Sequence, residues 1–105
     1  MTLAEFKKVL DSSGIKFKYH HWESPAPPLP YGVYLCNGAE TFKADGVVAE
    51  KVKNIIIELY AAKKDESLEN KLETALTNAG IPFEQTGEVY INNEKMYQTI
   101  YEIQI

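Results

Sequence analysis

The stretch of residues 47–60 constrains the fold more than any other part of the sequence. Its second half reads Asn-Ile-Ile-Ile-Glu-Leu-Tyr. Successive side chains of a β-strand point to opposite faces, so Ile55 and Ile57 share one face while Ile56 and Tyr60 share the other. A strand that is apolar on both faces is covered on both faces. We therefore expect other parts of the protein, or a partner, to pack against each side of this strand.

Two helices and four further strands are predicted from local spacing. Thr2 and Glu5 have the spacing of a capping box, and the apolar residues that follow recur at helical intervals. They predict a helix over residues 3–12, and a second helix opens at Asp65 and ends at Gly80. The predicted strands are residues 15–22, 31–36, 47–60, 83–91 (with a bulge expected at Gly87) and 97–105. Residues 24–30, 37–46 and 92–95 are predicted to be loops.

The resulting order, α-β-β-β-α-β-β, is typical of an α+β domain. With 105 residues the chain forms a single domain, residues 1–105. We expect an antiparallel β-sheet of about five strands with two α-helices packed on one face. Two short helices cover only that face, and another copy of the chain is the simplest cover for the second one. The pattern therefore predicts a closed homo-oligomer.

The two predicted helix–strand corners resemble each other. Residues 10–17 and 76–83 both run from a leucine through a Gly-Ile step to a phenylalanine, at an offset of 66 residues. At the same offset Tyr31 falls on Tyr97. An internal duplication and the independent origin of two similar corners both explain this similarity.

The charged residues exclude several classes of function. All eleven basic residues are lysine, and fifteen acidic residues bring the net charge to −4. The chain therefore has no guanidinium for bidentate recognition of guanine or phosphate, and its charge is opposite to that of a nucleic-acid-binding domain. No apolar run is long enough to span a bilayer, and the amphipathic first ten residues do not resemble a signal peptide. We expect a protein of the cytoplasm.

Few residues have the spacing that catalysis or metal binding requires. His20, His21 and Glu23 are close in sequence, but a strand places only His21 and Glu23 on one face. A catalytic zinc site needs about three ligands, and the third would have to come from a distant residue such as Asp45. Cys36 lies in an apolar strand, which favours a buried and inert thiol over a nucleophile. No nucleotide-binding motif is present. We predict no catalytic residue, no metal, no cofactor and no enzyme activity.

The proline-rich loop is the most distinctive local segment. Four prolines fall within residues 25–30, and they have the P-x-x-P spacing of SH3 ligands without a flanking arginine. The loop either ties two strands together or docks as a rigid segment at a protein interface. The same interpretation applies to the loop predicted at residues 37–46, which contains Phe42 and Asp45.

Several segments taken together resemble one group of viral proteins. They are Tyr-His-His-Trp at 19–22, Ala-Pro-Pro at 26–28, Pro-Tyr-Gly-Val-Tyr-Leu at 30–35, Phe-Lys-Ala-Asp-Gly at 42–46, Ile-Glu-Leu-Tyr at 57–60 and the stretch 95–103. The chain resembles, over essentially its whole length, the small tail-assembly proteins of long-tailed phages and prophages of low-GC Gram-positive bacteria. The closest group is the tail terminator, or tail completion, proteins. The segment Thr-Gly-Glu at 86–88 departs from that pattern.

The resemblance implies a structural role in virion assembly. Tail terminators form a ring, commonly a hexamer, that caps the finished tail tube and offers a docking surface to the head connector. The implied partners are further copies of the chain, the major tail protein and the head–tail connector protein, while DNA passes through the lumen without specific binding. The protein would act in the host cytoplasm during assembly and then remain in the virion at the head-proximal end of the tail. The alternatives are another connector component, such as a head-closure or stopper protein, and a non-viral interaction module that uses the proline-rich loop.

The residues expected at subunit or tail-tube interfaces come from the strand and the two loops. Of the two apolar pairs in the strand, we expect the pair that the helices leave uncovered to face a neighbouring subunit. The candidates are Pro25, Pro27, Pro28, Leu29, Pro30, Phe42, Asp45, Ile55, Ile56, Ile57 and Tyr60.

Overall fold

The computed structural model confirms the predicted order of elements. It describes the backbone of all 105 residues and the side chains of all except residues 44 and 48–50. The elements are α1 (Leu3–Asp11), β1 (Phe17–Tyr19), β2 (Tyr31–Ala44), β3 (Val47–Ala61), α2 (Glu66–Asn78), β4 (Phe83–Ile91) and β5 (Met96–Gln104).

The five strands form one sheet in the order β1-β2-β3-β5-β4. Each inner pair is antiparallel, as is the pair of β4 and β5, but β1 runs parallel to β2. The sheet is therefore mixed, which corrects the expectation of an antiparallel sheet throughout. The long segment between β1 and β2 makes this possible, because parallel neighbours need a connection that returns the chain to the same end of the sheet.

Strand β1 is much shorter than the predicted strand of residues 15–22. It ends at Tyr19 because His20 has a φ of +68°, which is outside the β region. The His20 amide still donates a hydrogen bond of 2.8 Å to the Tyr34 carbonyl, so the chain leaves β2 directly after this contact. His21 and Glu23 consequently do not lie on a strand face, contrary to prediction.

The helix ends confirm the predicted capping. The Glu5 amide donates to Thr2 Oγ1 at 3.1 Å, and the Thr2 amide donates to Glu5 Oε1 at 2.8 Å. At the start of α2, Asp65 Oδ1 accepts from the Leu68 amide at 3.1 Å. These side chains satisfy amides that have no partner within the helix.

Both helices pack on one face of the sheet. That face carries Ile55, Ile57 and Leu59 of β3, whose side chains are 0–2% exposed. The core formed there consists of Phe6, Leu10, Ile15, Phe17, Tyr34, Ile55, Ile57, Leu59, Leu68, Leu72, Leu76, Ile81, Tyr101 and Ile103.

Residues 37–46, predicted to be a loop, are mostly strand. The pairing of β2 with β3 continues to Ala44 and Val47, with irregularities after Cys36 and Phe42. Asp45 and Gly46, with φ of +52° and +79°, make the two-residue turn that joins the strands. Pairing of β3 beside β5 begins at Lys53, which exchanges two backbone hydrogen bonds with Ile105, and continues from Asn54 onward. Residues 37–53 therefore extend from this point as a two-stranded ribbon with Lys53 at its base. We call this ribbon the arm.

The bulge expected at Gly87 is present. The register of β4 against β5 shifts between Gln85 and Gly87.

Candidate interface on the open face and the arm

The face of the sheet away from the two helices has no layer of secondary structure over it among the described elements. Side chains directly opposite each other on antiparallel strands share a face. The strand register therefore identifies the residues on the face away from the helices. We call this surface the open face; it comprises Tyr31, Val33, Leu35, Asn54, Ile56, Glu58, Tyr60, Glu84, Val89, Ile91, Met96, Gln98, Ile100, Glu102 and Gln104.

The structure decides which apolar pair of β3 the helices leave uncovered. Ile55 and Ile57 are buried beneath the helices, at 1% and 0% exposure. Ile56 and Tyr60 lie on the open face and are half-buried. Ile56 and Tyr60 are therefore the interface candidates on this strand.

Trp22, in the connection between β1 and β2, packs against one end of the open face. Trp22 donates from its indole nitrogen to the Gly32 carbonyl at 3.0 Å, and its ring meets Tyr31 edge-on at 6.0 Å. Tyr31 in turn contacts Tyr60 at a ring distance of 5.4 Å. Lys18 Nζ lies 5.8 Å from the centre of the Trp22 ring, a cation–π distance. This arrangement ties β1 and β2 to the segment between them.

The prolines of that segment divide by exposure. Pro27 and Leu29 are half-buried, whereas Pro25, Pro28 and Pro30 are exposed. The segment thus has an inner side that packs on the domain and an outer side that faces solvent.

A small polar cluster lies at the centre of the open face. The side-chain amide of Gln98 donates to Tyr60 Oη at 3.0 Å and to Glu58 Oε2 at 2.5 Å. Burial raises the pKa of the Glu58 carboxyl, and the nearby His20 opposes the rise. Burial, followed by the Glu58 charge, raises the pKa of Tyr60.

Beyond this cluster, a groove of about 670 Å³ opens between the base of the arm and the ends of β4 and β5. Its lining includes Asn37, Ile56, Glu84 and Glu102. These two carboxylates are direct partners in the β4–β5 register and share a face. Like charges directly opposite each other repel, so the groove favours a cationic partner.

The arm exposes apolar side chains near its tip. Phe42 is 51% exposed and Val47 is 67% exposed. Asp45 lies in the turn itself. Large apolar side chains on a projecting ribbon, away from any core, are typical of a contact surface.

The two histidines do not build a metal site with a third ligand. His20 Nδ1 and His21 Nδ1 are 3.2 Å apart, and His21 Nε2 lies 3.5 Å from Glu23 Oε1. Asp45, the distant ligand considered from sequence, lies at the tip of the arm, and His20 lies beside Tyr34. Within the part of the chain whose side chains are described, no group of three or more possible metal ligands occurs.

Cys36 is half-buried and donates to the Gly38 carbonyl at a sulfur–oxygen distance of 3.5 Å. This contact lies at the irregularity where the arm begins. It gives the thiol a local structural partner.

Sequence reasoning missed a polar cluster between α2 and β4. Carboxylates on a helix are ordinarily solvated, but Glu69 of α2 is only 8% exposed. Gln85 donates to Glu69 at 2.9 Å, and Lys64 bridges Glu69 and Glu88 at 2.8 and 3.0 Å. These hydrogen bonds raise the pKa of Lys64 to about 12. The cluster fastens the edge strand β4 to the helix layer.

The buried Tyr101 of β5 also belongs to this polar cluster. Its hydroxyl donates to Glu73 Oε2 at 2.8 Å, and burial raises the pKa of the phenol well above 10.0. The only sequence signal for the cluster is the i, i+4 spacing of Glu69 and Glu73, which also fits a solvated helix face.

Compared with the known protein families and with curated proteins, the sequence matches none. Among the described residues, no helix combines the length and the apolar character needed to span a bilayer.

Proposed function

We propose that this chain is a phage virion assembly protein of the tail-terminator type, which works by stoichiometric binding and not by turnover. In this role, copies of the chain form a ring, commonly a hexamer in the family it resembles, that caps the tail tube and joins it to the head connector. DNA passes through the lumen of the ring.

One observation carries this proposal. The sheet is covered by helices on one face only, while the other face presents half-buried Ile56 and Tyr60 beside a projecting arm. A single small domain whose second sheet face has no helix layer, and which carries an extended ribbon, is suited to contacts between subunits.

The charge of the chain fits a channel for DNA. The net charge is −4, and all basic residues are lysines. A negative lumen repels the phosphate backbone and lets DNA slide without being held. An interaction with duplex DNA that is tight and salt-sensitive in a mobility-shift assay would contradict this part of the proposal.

The self-association can be tested at Ile56. We expect Ile56→Glu to prevent ring formation, because it places a charge in the centre of the proposed contact while the helix-side core remains intact. Thr74→Glu, at an exposed position of α2, is the matched control and should leave assembly unchanged. Light scattering and negative-stain imaging measure assembly, and circular dichroism shows that each variant is folded. Ile56→Gln is a milder second variant in case the glutamate destabilises the monomer.

The assignment to tails is tested in the phage genome that carries the gene. Inactivation of the gene should give tails of uncontrolled length, because nothing then stops polymerisation of the tube. Tails of normal length that fail to join heads would instead indicate the head-closure alternative. Normal, fully joined virions would refute a role in tail assembly.

A further inference from the structure

We propose that the arm of one subunit docks through its lysine-bearing side on the acidic open face of a second copy of this chain. The inference deepens the proposed function and rests on it, because it specifies which surfaces meet in the ring. It commits to one occupant for the groove, namely the arm of a neighbour.

The two sides of the arm differ in charge. The register pairs Thr41 with Lys51 and Ala39 with Lys53, so these residues share one side of the ribbon. Lys43 follows Thr41 by two residues along β2 and lies on the same side. The opposite side carries Glu40, Phe42 and Val52. Among the described side chains of these stretches, the lysines are thus separated from the glutamate.

The open face is acidic. Glu58, Glu84 and Glu102 are distributed over three adjacent strands, β3, β4 and β5. Glu84 and Glu102 line the groove next to the arm's base. A lysine ammonium placed between these two carboxylates would relieve their mutual repulsion.

The contact between the arm and the open face must be intermolecular. The lysine side of the arm continues the helix-covered face of the sheet. Lys53 lies two residues before Ile55 on β3 and so shares its face, whereas Ile56 lies on the open face. Lys53 Nζ donates to the Met1 carbonyl at 3.1 Å, beside the start of α1. A subunit's own arm therefore presents its lysines away from its own open face, and only a neighbour can supply them.

The dimensions agree. The arm strand of residues 47–53 and the sheet strand of residues 54–60 each contain seven residues. At about 3.3 Å per residue each spans about 23 Å, so an arm can lie along the whole open face. Because the arm and the open face are different surfaces, their contact is head-to-tail, and such contacts close into rings when the rotation between subunits allows it.

A disulfide trap tests the contact directly. In a Cys36→Ser background, which removes the only cysteine, Lys51→Cys and Glu102→Cys place one thiol on the arm and one on the open face. Mild oxidation should give a ladder of covalent oligomers on a non-reducing gel. The control pairs Lys51→Cys with Lys71→Cys, which lies on α2. We expect at least about tenfold more cross-linked product than in this control, because docking of the arm on the open face holds the two thiols at a high effective concentration. Equal cross-linking in the two proteins at every concentration would overturn the inference.

Exchange of the two charges provides a second, independent test. Lys51→Glu or Glu102→Lys alone should weaken assembly, and the two changes in one chain should restore it. Singles that assemble as well as wild type, or a double variant no better than the singles, would overturn the inference. Rings that form without the arm contact would leave the proposed function standing, whereas arm-linked rings in a phage whose tails need no such protein would refute the function alone.

Discussion

At the scale of single residues, Gly32 is the most crowded of the glycines. A Cβ atom there would clash with the Phe17 ring and lie 2.9 Å from the Glu58 carbonyl oxygen. We expect Gly32→Ala to lower the free energy of unfolding by about 1–3 kcal/mol, because overpacking forces the neighbouring strands apart. Urea unfolding measures this loss. Gly87→Ala is the control, since its nearest neighbour is Ile100 Cδ1 at 3.4 Å, and an equal loss in both variants would contradict the argument.

Glu58 makes the stability of the fold depend on pH. Burial raises its pKa above the ordinary value of 4.5, so the folded chain keeps this proton to a higher pH than the unfolded chain does. Stability from this group therefore falls as the pH rises from the unfolded value through the folded one. We expect Glu58→Gln to raise the melting temperature at pH 7 and to have no such effect at pH values below the unfolded pKa. A variant less stable than wild type at pH 7 would show that the carboxylate is favourably paired.

For the candidate residues of β3, the sequence predicts which side chains share a face but not which face is covered. The two-residue period of a strand assigned Ile55 and Ile57 to one face and Ile56 and Tyr60 to the other. It could not decide which face the helices cover, because that depends on how the whole chain packs. The burial of Glu69 was missed for the same reason, since its partner Lys64 lies in the connection before α2 and its partner Gln85 lies on β4.

At the scale of elements, the cap of α2 is a local contribution to stability. Asp65 accepts a hydrogen bond from the Leu68 amide and places a negative charge at the positive end of the helix. We expect Asp65→Ala to lower the free energy of unfolding by about 1 kcal/mol. Asp65→Asn keeps an acceptor oxygen at this position and should lose much less. Chemical denaturation of the three proteins side by side checks this, and equal losses in both variants would exclude a capping role.

The elements predicted well are those with local signals. Capping residues and helical spacing located α1 and α2, and dense apolar residues located β3. The β2 half of the arm, residues 37–44, was missed because it mixes polar and apolar residues without the alternation of a half-buried strand and pairs only with β3. The turn signal Asp45-Gly46 was present, and strands flank it on both sides. The parallel pairing of β1 is non-local and carries no signal in the sequence around it.

At the scale of the whole molecule, burial of the open face should couple folding to assembly. A partner that binds only the folded state stabilises it by mass action. We expect the melting temperature of the wild type to rise with protein concentration from micromolar to hundred-micromolar values, and the rise to be smaller at high salt because screening weakens the arm contact. Differential scanning calorimetry measures both effects. For Ile56→Glu the melting temperature should not change with concentration, and a concentration-independent wild type would argue against self-association through this face.

The arm also determines how a single subunit moves through solution. The chain measures 52 × 27 × 22 Å and has a radius of gyration of 14.9 Å, whereas a compact chain of this length has about 13 Å. Such an elongated particle experiences more friction than a sphere of equal mass. On a size-exclusion column calibrated with globular standards, the monomer will elute early and imitate a larger species. Subunit counts should therefore rest on scattering or native mass spectrometry, because elution volume alone would suggest an oligomer where there is only one extended chain.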